Sequence, residues 1–130
     1  MKTLVVEDDF TSRLLLQELL DDYGTVHIAV NGKEAVTAVR ASMDSGEPYE
    51  LICLDIMMPE MDGYDTLKKI RGMEREQGIQ PPDGAKVFMT TALHEMKNVI
   101  QAFRGSCDAY LLKPIDKATL VEHLRQYSLI

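Results

Sequence analysis

The sequence predicts an α/β fold, a doubly wound (βα)5 arrangement on a five-stranded parallel sheet, with residues 1–130 forming one domain. Three observations predict it. Short apolar runs alternate with longer amphipathic stretches five times along the chain. Most of the short runs are apolar at consecutive positions, which marks strands covered on both faces. The longer stretches carry apolar residues at helical spacing.

The elements follow in order. The strand-like runs are Thr3–Val6, Val26–Val30, Leu51–Leu54, Lys86–Met89 and Ala109–Leu112. Between the first two, Leu15, Leu19 and Tyr23 recur at i, i+4 beside Leu16 and Leu20, and Gly24 stops the helix. Asn31 and Glu34 form a cap-and-return pair before Val36, Val39 and Met43. A third helix starts near Asp62–Gly63 and carries Tyr64, Leu67 and Ile70. Met96, Val99, Ile100 and Phe103 make a fourth stripe, and Asp116 caps a last helix carrying Leu120, Val121, Leu124 and Tyr127. Ser42–Pro48 and Gly72–Gly84 read as loops, the second long for such a connection.

Charge and composition then exclude several classes. The chain has 14 Lys plus Arg against 21 Asp plus Glu, a formal net charge of −7. Nucleic-acid binding draws most of its affinity from basic residues on phosphates, so direct contact with DNA or RNA is not expected. No apolar stretch approaches the ~20 residues of a membrane span, and the N-terminus lacks a signal-peptide pattern. Two cysteines give no disulfide framework, and Cys53 reads as a buried thiol. The expectation is a cytoplasmic protein, monomeric or weakly dimeric.

In open parallel sheets, ligands bind at the carboxyl ends of the strands. Glu7, Asp8 and Asp9 follow the first strand and Asp55 the third; Thr90 and Thr91 follow the fourth, and Lys113-Pro114 the fifth. Polar residues mark the end of any strand, which accounts for each of these singly but not for their joint pattern. Carboxylates converging to ~4 Å repel by about 4 kcal/mol per pair at an effective dielectric of 20, so such a cluster takes up protons or holds a cation. The donors are oxygens with no His or Cys at ligand spacing, which suits Mg²⁺ better than zinc. His27, His94 and His123 are far apart and read as solvent- or partner-facing.

These residues carry a resemblance. Asp55-Ile56-Met57-Met58-Pro59-Glu60-Met61-Asp62-Gly63 resembles the phosphorylation-loop signature of two-component response regulator receiver domains. Glu7-Asp8 matches that family's acidic pair, Thr91-Ala92 its hydroxyl residue followed by Ala, and Lys113-Pro114 its Lys-Pro. The match runs along the whole chain in register with the five βα units and is of the single-domain, chemotaxis-regulator type.

The resemblance implies a flavodoxin-like receiver fold and a set of roles. Asp55 is the implied phosphoacceptor, taking a phosphoryl group from a sensor histidine kinase or phosphotransfer protein. A carboxylate is nucleophilic near pH 7 without deprotonation, and its acyl phosphate is labile enough for a switch. Asp8, Asp55 and the Met57 carbonyl are the implied Mg²⁺ ligands, with Glu7 acting directly or through a water. Lys113 is implied to pair with Asp55 and then with a phosphoryl oxygen, and Thr91 to hydrogen-bond another. Asp9 reads instead as the cap of the helix that starts at Phe10. Tyr110 is the implied switch residue, although a half-buried strand tyrosine with a wet hydroxyl is a common structural feature. The added charge, about 1.5–2 units by analogy with phosphoserine, biases two existing arrangements of the chain. A coupling of ~1–3 kcal/mol then changes affinity for a downstream protein about 5–150-fold. The implied output face is the fourth predicted helix, fifth strand and last helix. Such a domain is not an enzyme in the ordinary sense, catalysing only its own phosphorylation and dephosphorylation.

Three other readings compete with this one. An aspartate-nucleophile phosphohydrolase needs an acid two residues after its nucleophile, where this chain has Met57. Flavodoxin-like cofactor binding needs a Ser/Thr/Gly-rich phosphate loop after the first strand, where this chain has acids. A phosphorylation-independent docking module is the remaining alternative, disfavoured because every site residue is in place. One departure bears on lifetime: Met57 and Leu93, two residues beyond Asp55 and Thr91, are apolar and cannot orient an attacking water. Met57→Asn combined with Leu93→Glu is expected to shorten the life of the aspartyl phosphate by roughly tenfold or more. An unchanged decay of the adduct, followed by intact mass, would contradict this.

Overall fold

A computed structural model describes residues 1–80, 83–92 and 107–130. The five apolar runs form parallel strands β1 (Lys2–Val6), β2 (Thr25–Ala29), β3 (Leu51–Asp55), β4 (Lys86–Thr91) and β5 (Ala109–Leu112). They join one sheet in the order β2-β1-β3-β4-β5. The helices among the described residues are α1 (Phe10–Leu20), α2 (Gly32–Asp44), α3 (Gly63–Glu76) and α4 (Lys117–Gln126). The expected stripe of Met96, Val99, Ile100 and Phe103 lies outside the described residues, as do Leu93 and His94.

Strand sequence and strand position agree. Central β3 is buried at every residue, whereas edge strand β2 alternates between more and less exposed positions. Side chains alternate across each strand and build two cores. On one face Leu4, Val6, Ile52, Leu54, Val87 and Met89 pack with Ala35 and Val39 of α2 and Leu67 and Ile70 of α3. On the other, Val5, Cys53, Phe88 and Leu111 pack with Leu16 and Leu20 of α1 and Leu120 and Leu124 of α4. Burial pushes the Cys53 thiol up to about 12, so it stays a neutral packing group.

Each helix start is written in its cap. Asp9, Asn31, Asp62 and Asp116 accept hydrogen bonds from Ser12, Glu34, Asp65 and Thr119 backbone N–H groups at 2.8–3.0 Å. The Glu34 carboxylate returns to the Val30 N–H, one residue earlier than a standard capping box.

Two loop boundaries differ from expectation. Helix α2 runs through Ser42 to Asp44, because the buried Ser42 hydroxyl donates within the helix to Val39 O at 2.8 Å. Helix α3 continues through Gly72 to Glu76. A helical glycine costs about 1 kcal/mol relative to Ala, but tertiary packing of the following turn overrides that. Met73 is buried in the core, and Glu74 accepts from Ala85 N–H at 2.8 Å and pairs with Arg71 at 2.8 Å. Arg71 in turn reaches Ala85 O at 2.8 Å and Asp108 at 3.3 Å, tying α3 to the entries of β4 and β5.

The turn from β3 into α3 depends on a close approach. Gly63 N–H donates to Ile56 O at 2.8 Å, and a Cβ on Gly63 would stand 2.4 Å from Asp55 O and 2.8 Å from Ile56 Cα. Both neighbours are backbone and cannot swing aside. Gly63→Ala is therefore expected to cost about 2–3 kcal/mol in urea unfolding, against an unchanged midpoint if the turn is freely adjustable.

Candidate functional site

The sheet changes winding direction between β1 and β3, and the crevice beyond their carboxyl ends collects the polar residues. Glu7 follows β1 and is fully buried, its N–H donating to Ala29 O at 3.1 Å. Its carbonyl accepts from Arg13 at 3.1 Å, and its Oε1 accepts from Asp9 N–H at 3.1 Å. Asp55 is not beyond β3 but is its last residue, paired in register with Thr90 of β4. Strand β4 likewise extends through Thr90 and Thr91, so both hydroxyls belong to the sheet and not to the loop after it.

One carboxylate oxygen from each of Glu7, Asp8 and Asp55 lies within 4.8 Å of the others. Lys113 closes the group from the end of β5. Its Nζ stands 2.8 Å from Glu7 Oε2 and 3.2 Å from Asp55 Oδ1, and its N–H donates to Thr91 O at 2.8 Å. Asp8 is exposed, while Glu7 and Asp55 are buried. Three carboxylates face one ammonium, which leaves negative charge uncompensated. The donors are all hard oxygens in a compact set, which fits a small divalent cation such as Mg²⁺ and does not suit a thiophilic metal.

The same crowding shifts the titrating groups. Burial pushes the Asp55 carboxyl up to about 7, Glu7 adds repulsion, and Lys113 opposes both without cancelling them. Burial alone would lower Lys113, but its hydrogen bond to Glu7 and the charges of Asp55 and Glu7 more than offset that and hold it above its ordinary value. Asp9 stands apart: the Ser12 N–H that it caps holds its carboxyl below the usual range.

Strand alternation sorts the remaining residues. Thr91 lies on the Met89 face of β4 and Tyr110 on the same face of the sheet, packed against the α2–α3 core. The Thr91 hydroxyl is fully buried and donates to Ala92 O at 3.3 Å, so it is not joined to the carboxylates in this state. Tyr110 is half-buried and shares hydrogen bonds with the Tyr64 hydroxyl and the Cys107 thiol; burial first, then these neighbours, raise its pKa. Met57 is 57% exposed. The structure brings Glu7, Asp8, Asp55 and Lys113, each singled out in the sequence, to one place. Tyr64, read only as part of a helix stripe, and Cys107 were not anticipated as neighbours of Tyr110.

The Asp55 shift has a sign. The folded chain holds this proton more tightly than the unfolded chain, so stability falls as pH rises from 3.8 to about 7, and the deficit is complete above that. In the presence of a chelator, Asp55→Asn should melt on the order of 5 °C above the parent chain at pH above 7. The difference should close as pH falls toward the ordinary carboxylate range. Equal melting above pH 7 would contradict the buried-charge account.

Known proteins share both sequence and architecture. A family profile described as the response regulator receiver domain matches residues 3–125. The chain is 34% identical over 127 residues to the hybrid signal transduction histidine kinase L of Dictyostelium discoideum, covering 97% of this chain and 7% of that protein. It is 31% identical over 130 residues to an uncharacterized 14.6 kDa protein of Leptolyngbya boryana, covering 99% and 91%. The receiver domain of the histidine kinase CKI1 from Arabidopsis thaliana, solved with Mg²⁺ and BeF₃⁻, superposes with a TM-score of 0.73. That structure is 28% identical, and the alignment covers 99% of this chain and 90% of that one. With the family match spanning nearly all of the five-stranded sheet and its acidic rim, this chain belongs to the response regulator receiver domain family of two-component and phosphorelay signalling.

Proposed function

We propose that this receiver domain accepts a phosphoryl group on Asp55 in a Mg²⁺-dependent reaction and thereby switches a protein-binding surface. The observation that carries the reading is the convergence of Asp55 with Glu7, Asp8 and Lys113 at the crevice between β1 and β3. The donor is a phosphohistidine on a sensor kinase or phosphotransfer protein. An Asp55 carboxylate oxygen attacks phosphorus, the P–N bond breaks, and the electron pair returns to the imidazole. The new bond is a mixed anhydride on the side chain.

Each residue has a definable part. Glu7, Asp8, Asp55 and the Met57 carbonyl would hold Mg²⁺, which offsets the carboxylate charge and the charge on the transferring oxygens. With Asp55 near neutrality in its titration, a compensating positive charge also keeps its oxygen ionised and nucleophilic. Lys113 is anchored by Glu7 at 2.8 Å, so its ammonium stays at the site when the Asp55 oxygen that it faces is esterified. Thr91 must turn its hydroxyl from Ala92 O toward the phosphoryl group. That motion changes the space beside Tyr110 on the same sheet face, and the signal leaves through β5 and α4 to a downstream protein.

The surroundings support a protein donor. Phe10 and Leu14, one turn apart on α1, are 65% and 41% exposed, and Met57 is exposed on the loop leaving β3. This apolar rim is what a donor protein would cover while delivering its phosphohistidine. Among the described residues no helix is long and apolar enough to cross a membrane.

Intact-mass measurement after incubation with acetyl phosphate is the test. A single phosphoryl adduct that requires both Mg²⁺ and Asp55, and is absent in Asp55→Asn, is the expected result. A folded chain that gains no adduct with Mg²⁺ present would overturn it in favour of a phosphorylation-independent docking module.

A further inference from the structure

Thr90 has no assigned part, yet its position is unusual. It is 1% exposed, and its hydroxyl has no hydrogen-bond partner among the described residues. Buried hydroxyls are nearly always satisfied, so an orphan calls for an explanation. The other such hydroxyl among the described residues, Thr3, lies near the amino end of β1, away from the rim. Thr90 lies at the rim itself.

Register and alternation define its neighbours. Thr90 pairs with Asp55 of β3 on one side and Leu111 of β5 on the other. It shares the Phe88 face of β4, and two-residue periodicity puts Asp55 on the Cys53 face of β3 and Lys113 on the Leu111 face of β5. These are one face of the sheet. Lys113 starts at the end of β5, yet its Nζ reaches Asp55 on β3 and Glu7 beyond β1. With the strands ordered β1-β3-β4-β5, β4 lies between Lys113 and Asp55, and Thr90 is the β4 residue in register with Asp55 on that face.

An ammonium has three donor hydrogens, and this one stands at ion-pair distance from Glu7 Oε2 and Asp55 Oδ1. We propose that Thr90 is a positioning residue for Lys113 in the phosphorylated state. Its hydroxyl accepts an ammonium hydrogen when Lys113 leaves Asp55 Oδ1 for a phosphoryl oxygen. The hydroxyl is thus an acceptor held in reserve, unpaired at rest and satisfied once phosphate is in place. The proposal rests on the reading of Asp55 as phosphoacceptor, and adds a residue on the face of β4 opposite to Thr91.

Thr90→Val, nearly isosteric, and Thr90→Ser, which keeps the hydroxyl, test it through two readouts. Unphosphorylated Thr90→Val should melt at or above the parent chain, because an unpaired buried hydroxyl is removed. It should nevertheless gain the acetyl phosphate adduct roughly tenfold more slowly at saturating Mg²⁺, the effect of one lost hydrogen bond from a charged donor. Thr90→Ser should restore the rate. A merely structural role would lower melting and rate together, or neither, and would overturn the proposal. If the parent chain labels on Asp55 and Thr90→Val labels equally fast, the Thr90 proposal alone fails. If the parent chain never labels, both readings fail together.

Discussion

Everything at the rim depends on one buried ionic knot, in which a single ammonium is shared between two carboxylates inside the sheet's end. Lys113 sits 2.8 Å from Glu7 and 3.2 Å from Asp55, with the exposed Asp8 completing the acidic set. Removing charges from water is costly, and one cation cannot neutralise three acids. The site is therefore under electrostatic tension at rest, and the raised Asp55 carboxyl records it. That tension makes the crevice receptive to a divalent cation, and it disfavours a nucleotide or an unaccompanied phosphate.

The sheet imposes a division of labour on the residues around the knot. Alternation puts Glu7, Asp55, Thr90 and Lys113 on the face covered by α1 and α4, and Thr91 and Tyr110 on the face covered by α2 and α3. On the proposed function, chemistry and response thus lie on opposite faces of the same strands. Neighbouring residues of β4, Thr90 and Thr91, connect them, so a small displacement of that strand's end is felt on both faces. The hydrogen-bonded trio of Tyr110, Tyr64 and Cys107 gives the responsive side a defined resting arrangement that must be given up if Tyr110 moves.

Much of this was legible in the residues because the strands are short and separated by strong punctuation. The consecutive apolar run Leu51–Leu54 marked β3 as covered on both faces, and the acids or amides at 9, 31, 62 and 116 placed four helix starts. Helix ends were harder. Gly72 and Ser42 read as breakers, but Glu74's bonds to Ala85 and the inward-turned Ser42 hydroxyl are tertiary and local details that periodicity does not encode. At the site, residue type and order disclosed Glu7, Asp8, Asp55 and Lys113 as a group. They did not disclose that Thr91 faces Ala92 O at rest, nor that the hydroxyl left without a partner belongs to Thr90, because both depend on which side of β4 each side chain takes.

The central claim is that Asp55 is a strained carboxyl relieved by a cation. Selective ¹³C labelling of aspartate side chains, followed through a pH titration with chelator and then with Mg²⁺, tests it directly. The account predicts that the Asp55 carboxyl titrates near pH 7 without metal and moves well below that when Mg²⁺ is added. A metal-free midpoint near the ordinary 3.8, unmoved by Mg²⁺, would contradict it.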